Sequence, residues 1–194
     1  MPENKAGWAI WIVGLPGCGK STLANGILEH LATRGMSVTL LQMDERRKSY
    51  FPHPTYSSEE REKAYALFVD EVAGLVRQGV NVLMDGSAYR RSMRQYARQE
   101  LPRFAEVFVQ CDLSEAARRE SSRPNGLVMA GLYAKALQRK KTGQQFEGLG
   151  EVIGVDVEFE MDPAAEFIVD NSQLDPRETL GKVLHFVDTW LANV

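Results

Sequence analysis

The sequence predicts one α/β domain in which helices cover both faces of a five-stranded parallel sheet. Apolar segments of strand length alternate along the chain with segments whose apolar residues recur at helical spacing. A glycine-rich stretch lies between the first of these strands and the first helix. With 194 residues and 44% hydrophobic content, the chain can bury one core of this kind. We therefore expect residues 1–194 to form a single three-layer sandwich.

The predicted strands are short and mostly apolar, and they are 8–13, 37–42, 80–84, 105–110 and 167–170. The first is apolar at every position, which is typical of a central strand that is covered on both faces. Helices are predicted over 20–34, from Ser57 or Ser58 to Gly79, over 90–101 and 114–120, and from Asp175 to Leu191. Residues 50–57 contain prolines at 52 and 54 and are predicted to form a loop.

Composition and charge limit the classes of partner. A net charge of -3 argues against a general nucleic-acid binder or a membrane-surface protein. The first residues lack an apolar signal core, and no run approaches the roughly 20 apolar residues that cross a bilayer. The only cysteines are Cys18 and Cys111, so a disulfide framework is not expected. These features favour a cytoplasmic protein, and they leave the oligomeric state open, with a homodimer as one option.

Residues 14–21, Gly-Leu-Pro-Gly-Cys-Gly-Lys-Ser, match the pattern of a phosphate-binding loop, G-x-x-x-x-G-K-[ST]. Glycines in this pattern let successive backbone N–H groups point at phosphate oxygens, and the dipole of the following helix adds to the anion site. Lys20 is expected to reach the β- and γ-phosphates of ATP, and the Ser21 hydroxyl to hold Mg²⁺. The predicted nucleotide-binding residues here are Gly14, Leu15, Pro16, Gly17, Cys18, Gly19, Lys20, Ser21 and Thr22. The pattern predicts a P-loop protein that uses ATP.

Two carboxylates follow predicted strands, at the edge where open α/β sheets bind their ligands. Asp44 follows the second strand and is a candidate catalytic base, although a solvated loop or a helix cap is the alternative. Asp85 directly follows the third strand, in the place of a Walker B carboxylate that would help hold Mg²⁺. A turn residue at the strand end is the alternative for Asp85.

A basic segment near the C-terminal half predicts a lid. Residues 118–141 contain seven cationic side chains and one acid, Glu120. Such a segment can close over polyphosphate and exclude water, and we place the lid at about 119–150, with Arg119 contacting the nucleotide. A basic surface helix of neutral role is the alternative. The acidic stretch 151–166 is expected to pack against the basic lid, and Arg91 and Arg98 are expected on a solvated helix face.

These motifs resemble the adenylylsulfate kinase family nearly from end to end. Asp44 and Arg47 are similar to its D-x-x-R, residues 87–90 (Ser-Ala-Tyr-Arg) to its S-P-Y-R, and residues 131–136 (Gly-Leu-Tyr-Ala-Lys-Ala) to its G-L-Y-K-K-A. Tyr56-Ser57 resembles Phe-Ser, and Phe146-Glu147-Gly148-Leu149 resembles F-T-G-I. The resemblance implies strand order 2-3-1-4-5 and an aromatic clamp of Tyr56 and Phe146 on the acceptor. The acceptor-side residues that we carry forward are Arg47, Tyr56, Arg61, Asp85, Ser87 and Phe146.

The chain also departs from the family pattern. The first Asp of the family's D-G-D is Gln42, an Asn of the acceptor site is Ala64, and the aromatic-aliphatic pair before S-P-Y-R is Asp85-Gly86. Loss of an amide that hydrogen-bonds the acceptor weakens discrimination between acceptors, because hydrogen-bonding groups discriminate between substrates more strongly than apolar contacts do. The pair Asp85-Gly86 is more similar to the residues at this position in the wider nucleotide and sugar kinases.

The expected activity is ATP- and Mg²⁺-dependent phosphoryl transfer to a hydroxyl, with Lys20 and Asp44 as the catalytic residues. The resemblance implies that the acceptor is the 3′-hydroxyl of adenylyl sulfate. A kinase for another nucleotide-linked or small phosphorylated acceptor is the first alternative. A nucleotide-binding switch is the second, although the chain has no N-K-x-D-like guanine-reading element and would leave Asp44 unused.

Overall fold

The computed structural model describes residues 6–122 and 130–194. Its parallel sheet has five strands in the order β2-β3-β1-β4-β5. The strands are β1 Ala9–Gly14, β2 Thr39–Gln42, β3 Val82–Asp85, β4 Phe104–Gln110 and β5 Phe167–Asp170. The predicted fold class, strand number and strand order are confirmed. The start of the chain and part of the predicted lid, including Arg123, lie outside the described residues.

The helices described on the two faces of the sheet are α1 Lys20–Thr33, α2 Met43–Tyr50, α3 Ser58–Arg77, α4 Arg91–Glu100, α5 Leu113–Ser121, α6 Leu132–Thr142 and α7 Pro176–Leu191. Helix α3 begins at a cap that the sequence suggests, because the Ser57 side chain accepts a hydrogen bond from Glu60 N. Helix α7 begins after Asp175, whose side chain accepts from Arg177 N. No helix in these two ranges is long and apolar enough to cross a membrane.

The sheet separates two apolar clusters. Ile10 and Ile12 of β1 face a cluster that includes α1 and α7, whereas Ala9, Trp11 and Val13 face a cluster that includes α3 and α4. Because alternate side chains of a strand point to opposite faces, one continuously apolar strand supplies both cores. This burial fixes β1 at the centre of the sheet and therefore fixes the loop that follows it.

Helix α2 was not predicted, since residues 43–47 were expected only as a segment beyond the second strand. It starts directly after β2, with Gln42 as both the last strand residue and the N-cap. Only Met43 and Arg47 of its eight residues are buried, so the sequence carries no apolar stripe at helical spacing. The helix places Asp44 in its first turn, at the carboxyl edge of the sheet.

The prediction of a solvated face on α4 holds for Arg91 and is wrong for Arg98. The Arg91 side chain is 46% exposed, but Arg98 is 22% exposed and forms ion pairs with Glu106 at 3.0 Å and Glu166 at 2.5 Å. Arg94, for which the sequence suggested no structural role, is fully buried. Charged side chains are buried in this way when they are paired. Helix α4 therefore binds the acidic segment through its arginines.

The lid segment is more firmly anchored than its composition suggests. Tyr133 and Ala136 of α6 and the following Leu149 are buried in the cluster with α1. The Tyr133 hydroxyl donates to Pro16 O at 2.8 Å, and Arg139 pairs with Asp156 at 2.6 Å. In the described part of the chain, the acidic stretch packs on the basic segment through the ion pair of Arg139 with Asp156. The first turn of α6 lies directly on the phosphate-binding loop.

Candidate active site

The glycines of the phosphate-binding loop are required by its backbone geometry. Gly14, Gly17 and Gly19 have φ values of 145°, 86° and 103°, in a region that favours glycine. A Cβ on Gly14 would lie 2.5 Å from Val109 O of the neighbouring strand, and one on Gly17 would lie 2.3 Å from Ala116 O. The loop therefore packs against β4 and α5 with no room for side chains at these positions.

Lys20 begins α1 and folds back over the loop. Its Nζ donates to Leu15 O at 2.9 Å, and the residue is 9% exposed. The Cys18 side chain is fully buried, and burial raises the pKa of its thiol. Cys18 is thus a packing residue of the loop, whereas Lys20 lines a cavity and presents a charge there.

A buried asparagine that the sequence analysis missed supports the phosphate-binding loop by a hydrogen bond to its backbone. Asn171 follows β5, its Nδ2 donates to Cys18 O at 2.7 Å, and its Oδ1 accepts from Thr179 Oγ1 at 2.8 Å. Arg119 Nη2 donates to Asn171 O at 2.8 Å, and Arg119 Nε donates to Glu115 at 2.6 Å. Arg119 therefore lies beside the loop, although it does not line the cavity described next. The sequence offers one indication of Asn171, which is its position, since it follows a strand at the same edge of the sheet as Asp44 and Asp85.

A cavity of about 160 Å³ lies at this edge, between the loop, α2, α3 and the residues after α6. The predicted site residues that line it are Pro16, Gly17, Gly19, Lys20, Ser21, Asp44, Arg47, Tyr56, Arg61, Asp85 and Ser87. The predicted residues that do not line it are Gly14, Leu15, Cys18, Thr22, Arg119 and Phe146. The structure thus brings the phosphate loop and most of the expected acceptor residues to one cavity.

Asp44 is a cavity-lining carboxylate whose surroundings change its pKa. Burial raises its pKa above the ordinary value, the Lys20 charge lowers it, and the Asp85 charge raises it. A carboxylate with a raised pKa is a stronger base than an exposed one while it remains close to Lys20. The environment of Asp44 therefore suits acceptance of a proton from a hydroxyl.

Arg47 is held at the cavity by a buried ion pair. Its Nη1 is 2.8 Å from Glu60 Oε1, and the two side chains are 4% and 8% exposed. Its guanidinium lies 5.1 Å from the centroid of the Tyr56 ring. Glu60 also accepts hydrogen bonds from the Thr55 backbone N–H and, at 2.8 Å, from Thr55 Oγ1, and these donors hold its pKa below the ordinary value despite some burial. Sequence reasoning missed Glu60, for which the capping pattern at Ser57 offered only a structural role.

Arg61 joins two walls of the cavity. Its Nε donates to Tyr56 O at 3.0 Å and its Nη2 donates to Glu151 O at 2.5 Å. The backbone of Gly150 lies against Tyr56, since a Cβ on Gly150 would be 2.5 Å from Tyr56 Cβ. Tyr56 itself has φ of 55°, which is uncommon for a residue with a side chain. Arg61 therefore closes the cavity where the loop before α3 meets residues 150–151.

The predicted aromatic clamp is not assembled in this structure. Tyr56 lines the cavity, but Phe146 is half-buried against the apolar cluster that contains α1 and α7. Contact of both rings with an acceptor stays a prediction for the ligand-bound protein.

The oxygen ligands in the cavity fit Mg²⁺ bound mainly through phosphates. Ser21, Asp44 and Asp85 line the cavity, while the described ranges hold no group of three or more His, Cys, Asp or Glu residues suited to a metal. Mg²⁺ is commonly bound by one or two protein oxygens together with substrate phosphates and water. These residues therefore fit a cation that arrives with ATP.

Comparison with known proteins agrees with this site. The family profile described as adenylylsulphate kinase matches residues 6–170. A probable adenylyl-sulfate kinase of Archaeoglobus fulgidus is 32% identical over 168 residues, which cover 87% of this chain and 98% of the relative. The cytidine diphosphoramidate kinase of Campylobacter jejuni is 27% identical over 171 residues, covering 85% of this chain and 86% of that one.

A solved structure shares the fold. The Mycobacterium tuberculosis APS kinase in complex with AMPPNP and APS superposes with a TM-score of 0.77 at 22% sequence identity, covering 94% of this chain and 98% of that one. The match of the profile over most of the chain, together with the relative above 30% identity, establishes the family. The chain therefore belongs to the adenylylsulphate kinase family and is an ATP-dependent phosphotransferase whose acceptor is a hydroxyl group.

Proposed function

We propose that the chain transfers the γ-phosphate of ATP to the 3′-hydroxyl of adenylyl sulfate, which would place it in sulfate assimilation in the cytoplasm. The observation that carries this proposal is the shared cavity, in which Lys20 and Ser21 of the phosphate loop face Asp44 and the family-like acceptor residues Arg47 and Arg61. The names of the relatives support the choice of acceptor.

In the proposed reaction, the acceptor oxygen forms a bond to the γ-phosphorus while the bond from that phosphorus to the β–γ bridging oxygen breaks, and ADP leaves. Asp44 accepts the proton of the acceptor hydroxyl. Lys20 and the loop N–H groups stabilise negative charge on the transferring group. Mg²⁺, when bound at Ser21, would neutralise phosphate charge. The segment at 119–150 is proposed to shield the reaction from water.

The departures from the family pattern favour a second candidate, a kinase for another nucleotide-linked acceptor. Ala64 is fully buried in the apolar cluster with α3 and does not line the cavity, so no amide reaches the acceptor from this position. Asp85 and Gly86 replace an aromatic-aliphatic pair at the cavity, and the Campylobacter relative carries the name of a different nucleotide kinase.

Acceptor-dependent ADP release decides between these candidates. The purified protein is supplied with MgATP and with adenylyl sulfate, a cytidine diphosphoramidate, or no acceptor. We expect rapid ADP release only with adenylyl sulfate, and product analysis should show phosphate on its 3′-oxygen. Release with the cytidine compound alone would support the second candidate. ADP release at the same rate without any acceptor would contradict both and favour the nucleotide-binding switch.

A further inference from the structure

A chain of hydrogen-bonded side chains ends in the cavity wall, where residues 150–151 meet the first turn of α3. Ser58 Oγ donates to Glu151 Oε2 at 2.5 Å, and the Tyr89 hydroxyl lies 3.1 Å from Ser58 Oγ. Because the Ser58 proton is directed to the carboxylate, the Tyr89 hydroxyl donates to Ser58. The chain of donors therefore ends at Glu151, which lines the cavity with a group that only accepts hydrogen bonds.

The backbone of Glu151 is fixed at the same place. Glu151 N donates to Tyr56 O at 3.4 Å, and Arg61 Nη2 donates to Glu151 O at 2.5 Å. A carboxylate offers about four acceptor sites, and the hydrogen bond from Ser58 uses one of them. A positioned carboxylate in a cavity wall can thus accept a further hydrogen bond from a ligand and select ligands that carry a donor there.

The charge of Glu151 has a counterpart within the protein. Burial lowers the pKa of Arg61, and the Glu151 charge is among the groups that raise it. The two side chains therefore interact electrostatically across the wall that Arg61 closes. A ligand group at Glu151 does not have to be a cation, and a neutral N–H donor suits the site.

Apolar side chains accompany this carboxylate in the cavity wall. Leu149, Val152 and Ile153 are its neighbours in sequence, are at most 4% exposed and line the cavity, as does Tyr56. A flat ring can lie against such a surface without leaving polar groups unpaired, whereas a sugar would bury hydroxyls there. A ring with an N–H donor at its edge satisfies both the apolar surface and the carboxylate.

Nucleobases differ in the group that they carry at this edge. Adenine and cytosine have an exocyclic amine, which donates, whereas hypoxanthine and uracil have a carbonyl oxygen at the same position, which accepts. A carboxylate forms a hydrogen bond with the amine and repels the carbonyl oxygen.

We infer that Glu151 accepts a hydrogen bond from the exocyclic amine of the acceptor's base and so selects adenine or cytosine nucleotides over their keto counterparts. The inference rests on the proposed function, since it requires a nucleotide acceptor, and it adds a specificity residue to that site. Both candidate acceptors, adenylyl sulfate and a cytidine diphosphoramidate, carry such an amine.

The test measures binding of nucleoside monophosphates by calorimetry to protein saturated with MgADP, which occupies the phosphate-binding loop. We expect AMP to bind about tenfold or more tightly than IMP, and CMP more tightly than UMP, because the keto oxygen would face the carboxylate. E151Q should bind AMP and IMP with similar affinity, since an amide can turn either its N–H group or its oxygen to the base. E147Q is the matched control, because Glu147 is exposed and does not line the cavity, and it should keep the preference of the parent.

A structural role for Glu151 predicts different results. Equal affinity of the parent for AMP and IMP, or no binding of any of the four nucleotides, would contradict the inference. A preference for AMP that persists in E151Q would leave Glu151 only as the partner of Ser58. S58A keeps the carboxylate and should keep the preference, so its loss in S58A as in E151Q would also contradict the inference. If circular dichroism shows that E151Q is unfolded, E151A replaces it and should likewise lose the preference.

The binding test involves no turnover, so its outcome is separate from that of the acceptor assay. A preference for AMP without ADP release in response to adenylyl sulfate would reject that acceptor and support the inference. ADP release with adenylyl sulfate together with equal binding of AMP and IMP would reject the inference alone.

Discussion

At the scale of single residues, Asp44 carries the clearest chemical prediction. We expect Asp44→Asn to lower kcat by roughly 10²-fold or more, because a positioned base typically contributes that much. The affinity for ATP should change little, since it depends on the loop N–H groups and Lys20. Steady-state rates and ATP binding measured side by side test this expectation. Glu59→Gln, which changes an exposed acid in the first turn of α3, is the matched control. A rate for Asp44→Asn equal to that of the control would contradict the catalytic role.

Residues that a sequence motif places at the cavity could be predicted, but residues that support the cavity through contacts with other residues could not. Lys20, Ser21 and Asp44 follow strands in the expected order and line the cavity. Glu60 and Asn171 support the cavity by hydrogen bonds to partners that lie 13 and 153 residues away in sequence. No local pattern records such a partner, because the sheet topology alone brings the two segments together.

At the scale of elements, strands were easier to predict than short helices. Continuous apolar character marks β1 in the sequence, since both of its faces are covered by helices. The eight residues of α2 show no such marker, because their contacts are mostly polar and its start is fixed by the end of β2. The spacing of the α4 arginines predicts a surface pattern, whereas Glu166, an acidic partner of Arg98, lies 68 residues further along the chain.

The contact between α4 and β4 predicts a pH dependence of stability. Glu106 is fully buried, with its Oε1 3.0 Å from Arg94 Nε although the two atoms are not aligned for a hydrogen bond. Burial raises the pKa of Glu106 to about 7, whereas Arg94 and Arg98 lower it and Asp162 and Glu166 raise it.

Because the folded-state pKa of Glu106 lies above the unfolded value near 4.5, the folded protein binds more protons between these pH values. The contribution of Glu106 to stability is therefore fully present below about pH 4.5 and is lost as the pH rises through about 7, by on the order of 1–3 kcal/mol. We expect the pH dependence of the unfolding free energy between pH 5 and 8 to be flatter in Glu106→Gln than in the parent. Urea unfolding at several pH values measures the slope, and equal slopes would contradict the prediction.

At the scale of the whole molecule, residues 149–159 connect the two cores across the carboxyl edge of the sheet. Leu149 and Val152 belong to the cluster with α1, and Ile153, Val157 and Phe159 pack in the cluster with α3. Arg139 holds this connection by an ion pair with Asp156, and just beyond its end Arg91 of α4 pairs with Asp162. The composition of the chain predicts a basic lid. It does not show that residues 149–159, which form part of the cavity wall, also pack in both apolar clusters.

The contact between α6 and the phosphate loop predicts how this wall responds to protease. Tyr133→Phe removes the hydroxyl that donates to Pro16 O and leaves a carbonyl without that donor. We expect trypsin to cleave after the exposed Lys140 or Lys141 several times faster in this variant, and ATP with acceptor to restore protection. Tyr96→Phe removes a hydroxyl that bonds to Asp70 on the surface and is the control. Equal cleavage of the two variants and the parent would show that the contact does not fasten the lid.

The position of Trp11 makes its intrinsic fluorescence a reporter of ligand binding in the cavity. The indole is fully buried, its Nε1 has no hydrogen-bond partner within residues 6–122 and 130–194, and a Cβ on Gly86 would lie 3.5 Å from that nitrogen. Trp8 and Trp190 contact each other in the opposite core, 6.2 Å apart, so replacing both with phenylalanine isolates the emission of Trp11. Since Asp85 and Ser87 flank Gly86 at the cavity, ligand binding should change the intensity or wavelength of this emission, and a fluorescence titration can then follow occupancy of the site without any label. Emission that stays constant while calorimetry detects binding would mean that the sheet shields the indole from the cavity.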